Sequence, residues 1–122
     1  MIIAVWIVSG LLALVYVIAG GVKVVASRET VQSRLSWTRH ARVWQVKAVG
    51  TIEVLAAIGL VAPPLTHILP ILAAVAAAGL VLVQVVAIGV HVRIGEGRQI
   101  AVNIVLLLLA LFVATARFTG LA

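Results

Sequence analysis

Apolar residues fill this chain in four runs, at about 2–26, 47–62, 67–92 and 99–118, and the few polar side chains inside each run recur at helical spacing. In the first run Ser9, Tyr16 and Lys23 fall seven apart, with Gly20 between the last two. Gly50, Glu53 and Ala57 share a face in the second; Ala77, Gln84 and His91 do so in the third; Asn103, Ala110, Ala114 and Arg117 do so in the fourth. Residues seven apart on an α-helix lie two turns apart on one side. Each run therefore predicts a helix that is apolar around most of its circumference and carries one polar stripe.

The segments between the runs predict how the helices connect. Ser27-Arg28-Glu29-Thr30 breaks the first run and offers capping side chains. The following stretch, about 30–46, is too polar to span a bilayer, and Trp37, Ala41 and Trp44 within it are spaced on one helical face that continues to Ala48. A basic amphipathic segment with tryptophans predicts an interfacial helix lying on the membrane surface, the alternative being an ordered loop. Pro63-Pro64 predicts the end of the second helix, Pro70 belongs in the first turn of the third, and Gly95-Glu96-Gly97 forms the last turn.

Composition turns these helices into membrane spans. The 122 residues are 65% hydrophobic and 10% charged, far from the apolar share of about 45–50% found in soluble domains. At roughly 20 residues per crossing, four spans and short loops use nearly the whole chain. The fold class is all-α, an integral membrane antiparallel four-helix bundle in a single domain over 1–122, with a cytoplasmic interfacial segment. Ile18-Ala19-Gly20 imitates a signal-cleavage site, but no basic region precedes it, so the first run reads as a retained helix. Small residues, among them Gly10, Gly20, Gly50, Ala57, Gly59, Ala73, Ala77 and Ala110, mark faces where helices approach closely, within the bundle or in a homo-oligomer.

Charge sets the orientation and excludes one partner class. The net charge is +6, from nine Lys and Arg against three acids. Arg28, Arg34, Arg39, Arg42 and Lys47 lie between the first two runs, and Arg93 and Arg98 between the last two. That is the positive-inside pattern of a multi-pass cell-membrane protein with both termini outside; the partner of these cations is the lipid bilayer, not nucleic acid. Arg117 and Trp6 fall at the outer interface. With no cysteine, the chain has no thiol nucleophile and no disulfide. His40 and His67 fall at opposite faces, so no metal site is expected, and the sequence names no cofactor.

Depth selects the candidate chemistry. Lys23 and His91 lie near the cytoplasmic ends of their helices, and Tyr16 and Gln84 lie about 10 Å deeper. Glu53 sits about 15 Å from Pro63, near mid-bilayer, and Asn103 about one turn inside its helix. Glu53 is the only acid within a span, and an isolated carboxylate there would cost several kcal/mol, so it is either protonated or paired. Lys23, Glu53 and His91 are the candidate catalytic residues, the alternative being a Lys23–Glu53 pair that only fixes helix register. Tyr16, Gln84 and Asn103 are the candidate ligand-binding residues, all six lining one cavity from the cytoplasmic interface to the midplane.

In this order the residues resemble the DoxX-like family of small membrane proteins. The matching features are Ala19-Gly20-Gly21-Val22-Lys23, Gly50-Thr51-Ile52-Glu53, Gly59-Leu60 ahead of Pro63, Ala87 to His91 followed by Arg93, and Asn103. The resemblance implies a four-helix membrane fold and, for some members, association with quinone-linked or other membrane oxidoreductases. It also implies that Lys23, Glu53 and His91 occupy the family's polar positions.

Three functional readings follow, and whether the chain is an enzyme stays open among them. In the leading one the pocket holds a lipophilic small molecule, quinone or isoprenoid-like, in an accessory subunit of a membrane oxidoreductase system. In the second, Glu53 is a general acid acting on a lipid-like substrate by isomerisation, epoxide opening or cyclisation. The third is a membrane-protein assembly factor.

Overall fold

The computed structural model describes residues 1–27, 29, 32 and 42–120. Among them are four long helices, α1 (Ile2–Val25), α2 (Val43–Thr66), α3 (Ile71–Ile94) and α4 (Gly97–Phe118). They contain 22 to 24 residues each, and all four are apolar and long enough to cross a bilayer. At 1.5 Å per residue each is about 33–36 Å long, slightly more than the roughly 30 Å hydrocarbon core.

The helices run alternately up and down. α1 packs along α2 and α3 along α4, with α2 on α3 as a third contact and a lighter one between α1 and α4. One end of the bundle carries Lys23, Arg42, Lys47, Arg93 and Arg98 and is called the basic end here; the opposite end holds the α2–α3 turn. At the basic end Lys47 Nζ on α2 donates to the carbonyl of Val24 on α1 at 2.8 Å. At the opposite end the Arg117 guanidinium of α4 lies 5.1 Å from the centroid of the Trp6 ring of α1, a cation–π contact joining the first and last helices.

The second helix departs from the sequence expectation at both ends. Instead of about 47–62 it covers Val43–Thr66, with Pro63 and Pro64 inside it. A proline's fixed φ suits a helix; what it removes is an N–H, and in membrane helices nearby polar groups compensate for that loss. Here the missing N–H groups are those that would reach the carbonyls of Gly59 and Leu60, so the loss is confined to the last two turns, and Thr66 Oγ1 separately donates to the carbonyl of Ala62 at 2.8 Å. The stop is set by His67, in the left-handed region at φ 59°, and Leu69 follows at φ 46°. These residues make the turn, so α3 begins at Ile71 rather than His67, with Pro70 as its N-cap.

The start of α2 moves for a different reason. The backbone N–H of Arg42 donates to Gln45 Oε1 at 2.8 Å, a capping contact that begins the helix before the apolar run. Val43–Val46, expected in the interfacial segment, are therefore the first turn of α2. The rest of that segment, including Trp37 and His40, lies for the most part outside the described residues.

Burial divides the bundle into two unlike halves. Toward the turn end the interior is small and aliphatic: Val5, Leu12, Leu60, Ala73, Ala77, Leu80, Ala110 and Val113 are fully or almost fully buried. Ser9 is the exception there, with its hydroxyl buried and without a hydrogen-bond partner among the described residues. Toward the basic end the buried side chains are instead Lys23, Glu53, Gln84, His91 and Asn103. Such groups are costly in hydrocarbon and persist where they face one another or a cavity.

Candidate functional site

Two glycines bring the first pair of polar groups together. A Cβ at Gly20 would lie 2.5 Å from the carbonyl oxygen of Gly50, and one at Gly50 would lie 2.7 Å from that of Gly20 and 2.6 Å from the Cβ of Lys23. Only hydrogens let α1 and α2 come this close, as in other small-residue contacts between membrane helices. In this antiparallel register Gly50 faces Lys23 and Gly20 faces Glu53, whose Cβ would lie 3.1 Å from a Cβ at Gly20, so each charged residue stands opposite a glycine of the other helix. The close approach therefore delivers Lys23 Nζ to Glu53 Oε1, which accepts its hydrogen bond in a buried ion pair.

A second bond crosses the bundle at mid-depth. Gln84 Nε2 on α3 donates to the hydroxyl of Tyr16 on α1. Tyr16 also packs into the aliphatic interior, so this bond is the polar floor above the tightly packed half.

Between that floor and the basic end lies a cavity of about 470 Å³, lined by residues from all four helices. The six residues singled out from the sequence, Tyr16, Lys23, Glu53, Gln84, His91 and Asn103, all stand on its wall. Ser9, on the same stripe as Tyr16 and Lys23, does not. Two further polar residues line it that the sequence reading missed, Glu96 and Gln99. Gln99 could have been found, because it lies four residues before Asn103 and so on the same face of α4. Glu96 sits in a turn, where no periodicity applies.

Several polar atoms of these wall residues lack hydrogen-bond partners among the described residues: Gln84 Oε1, Asn103 Nδ2, His91 Nδ1 and Glu96 Oε1. The last two face each other at 3.5 Å, an ion-pair distance when His91 is protonated. Buried polar groups in native proteins are nearly always paired, and these four belong to residues of the cavity wall. The wall offers a carboxamide donor, a carboxamide acceptor, a phenol, an imidazole and a Lys–Glu pair, surrounded by Val15, Ile52, Leu82, Val86 and Val102. Among the described residues no three His, Cys, Asp or Glu side chains come together as a metal-binding group.

Comparison with known proteins gives one match. The model of the DoxX-like family covers residues 7–113, from the first turns of α1 to the last turns of α4. No curated protein and no solved structure matches the chain.

Proposed function

The chain belongs to the DoxX-like family, and from that premise we propose that it is a multi-pass membrane protein that holds the polar head of a lipophilic molecule, a quinone or an isoprenoid-like compound, within the bilayer. We assign Tyr16, Gln84 and Asn103 to hydrogen bonding that head, and Lys23, Glu53 and His91 to setting the charge around it. In this reading the protein is an accessory subunit of a membrane oxidoreductase system, with the basic end and the cavity on the cytoplasmic side of the cell membrane.

The observation that carries the reading is the change of interior between the two halves of one bundle. A purely structural bundle has no need to exchange an aliphatic interior for five buried polar side chains around an open space. A cavity of about 470 Å³ lies within the ordinary range for small-molecule pockets, about 300–1,000 Å³. It suits a ring-sized head whose tail remains in lipid. Valine, leucine and isoleucine side chains that line the cavity are also partly exposed on the outer surface, among them Val15, Ile52, Leu82 and Val102, so the lining reaches the lipid-facing side of the bundle.

Purification in native lipid nanodiscs followed by mass spectrometry of the extracted lipids tests this. Stoichiometric enrichment of a quinone or polyprenyl compound is expected, and it should fall when Asn103 and Gln84 are replaced together by Leu. Equal extraction from wild type and variant would defeat the proposal. Chemical conversion of the recovered compound by wild type, abolished in Glu53→Gln, would shift the assignment to an enzyme.

A further inference from the structure

Glu96 is the N-cap residue of α4, yet its side chain makes no capping hydrogen bond. A carboxylate at a helix N-terminus would ordinarily accept from the first backbone N–H groups. Here the carboxylate points to His91 instead, with Oε1 3.5 Å from Nδ1. The backbone holds this arrangement: Gly95 adopts φ 76°, and the N–H of Glu96 donates to the carbonyl of His91 at 3.0 Å.

The pair differs from the other ionisable groups of the cavity in its access to water. The side chains of Lys23, Glu53 and His91 are 8%, 5% and 7% exposed, whereas that of Glu96 is 29% exposed. Glu96 thus touches both the cavity and the surface at the basic end. The other titratable or charged groups on the wall are Tyr16 and Lys23 from α1 and Glu53 from α2; α4 contributes the neutral Gln99 and Asn103. Arg93 and Arg98 flank the turn, but both are exposed and neither lines the cavity.

Resting on the reading of the cavity as a head-group site, we propose that Glu96 and His91 form a proton path from the aqueous phase at the basic end to the bound ligand, whose head carries an oxygen that takes up and releases a proton, as hydroxyquinones and quinols do. Glu96 receives a proton from water and passes it to Nδ1 of His91. The imidazole releases its other proton from Nε2 to the ionised oxygen of the ligand, so one proton enters and one leaves. Return of the ring to its starting tautomer resets the pair. Proton release from the ligand runs the same steps backwards, and no electron transfer is required of this chain.

The test uses a 2-hydroxy-3-alkyl-1,4-naphthoquinone, whose ionised form absorbs visible light more strongly than its neutral form. The full chain in phosphatidylcholine nanodiscs is saturated with this probe, the pH is stepped in a stopped-flow instrument, and the colour change of the bound fraction is followed. Wild type should respond fast. Glu96→Gln should slow the response by about tenfold or more while reaching a colour change of similar size, and His91→Gln should slow it at least as much, whatever shift it brings to the end point. Acetate added to Glu96→Ala should restore speed in proportion to its concentration, which a purely structural role for the carboxylate would not produce. Equal rates in wild type and both Gln variants, or no rescue by acetate, would overturn the proton path and leave the binding reading standing. Failure of the wild type to bind either this probe or its quinol-state analogue would overturn both.

Discussion

Lys23 and Glu53 form a buried ion pair across the close approach of α1 and α2 at Gly20 and Gly50, each standing opposite the glycine of the other helix. The glycine contact and the ion pair are consequences of one another. The helices come close enough for a lysine to reach a carboxylate, and the pair neutralises two charges that neither helix could bury alone. The same approach fixes the wall of the cavity.

Enlarging either glycine should therefore disturb the pair before it disturbs anything else. Gly50→Ala places a methyl group 2.6 Å from the Cβ of Lys23 and 2.7 Å from a backbone oxygen, a clash expected to cost about 1–3 kcal/mol. Gly21→Ala meets nothing within 4 Å and should be neutral or stabilising by up to about 1 kcal/mol, as for other Gly-to-Ala changes in helices. Unfolding in mixed micelles, followed by helical circular dichroism, compares the two.

Removing one partner of the ion pair should be worse than removing both. Lys23→Met leaves a buried carboxylate and Glu53→Gln a buried ammonium, each expected to cost about 3–5 kcal/mol. The double variant Lys23→Met/Glu53→Gln leaves no unpaired charge and should recover most of that loss. A double-mutant cycle on unfolding free energy checks it; strict additivity would mean that the two groups do not act as a pair.

The Tyr16–Gln84 bond separates stability from binding. Tyr16→Phe leaves the amide of Gln84 unpartnered at mid-bilayer and should cost about 1–3 kcal/mol. Tyr16→Phe/Gln84→Leu removes both polar groups, so its stability should return to within about 1 kcal/mol of wild type. Retention of lipophilic quinone should nevertheless fall, because the floor of the pocket then offers no hydrogen bond. Thermal unfolding and binding by intrinsic fluorescence quenching, measured on the same samples, resolve the two effects.

The parts legible in the sequence are those governed by helical periodicity. Tyr16 and Lys23, and Gln84 and His91, are seven apart, so spacing alone assigns each pair to one face and a relative depth. With Glu53 and Asn103 placed by the same arithmetic, the six groups come to one cavity wall in the structure. Periodicity says nothing about turns, which is why Glu96 escaped notice although it lies five residues beyond His91. Pro63 and Pro64 mislead for a related reason: a proline marks a missing N–H, not the residue at which the helix turns, which here is His67 at φ 59°. The polar start of α2 at Arg42 and Gln45 was read as interfacial because a capping contact is local and leaves no apolar repeat.

The two halves of the bundle should respond oppositely to the same enlargement. Ala77 is fully buried in the aliphatic half, so Ala77→Leu inserts three carbons into a filled interior and should destabilise by about 1–3 kcal/mol. Ala87 is only partly buried and lines the cavity, so Ala87→Leu extends into open space and adds apolar contact where the unliganded protein has little. Its unfolding transition should be unchanged or shifted upward, and the added side chain should compete with the ligand's head, lowering retention of bound quinone. Opposite signs on stability, with loss of binding confined to Ala87→Leu, would establish that the space at the basic end is shaped for an occupant. Comparable destabilisation at both positions would mean that the basic half is packed as tightly as the other and has no room for one.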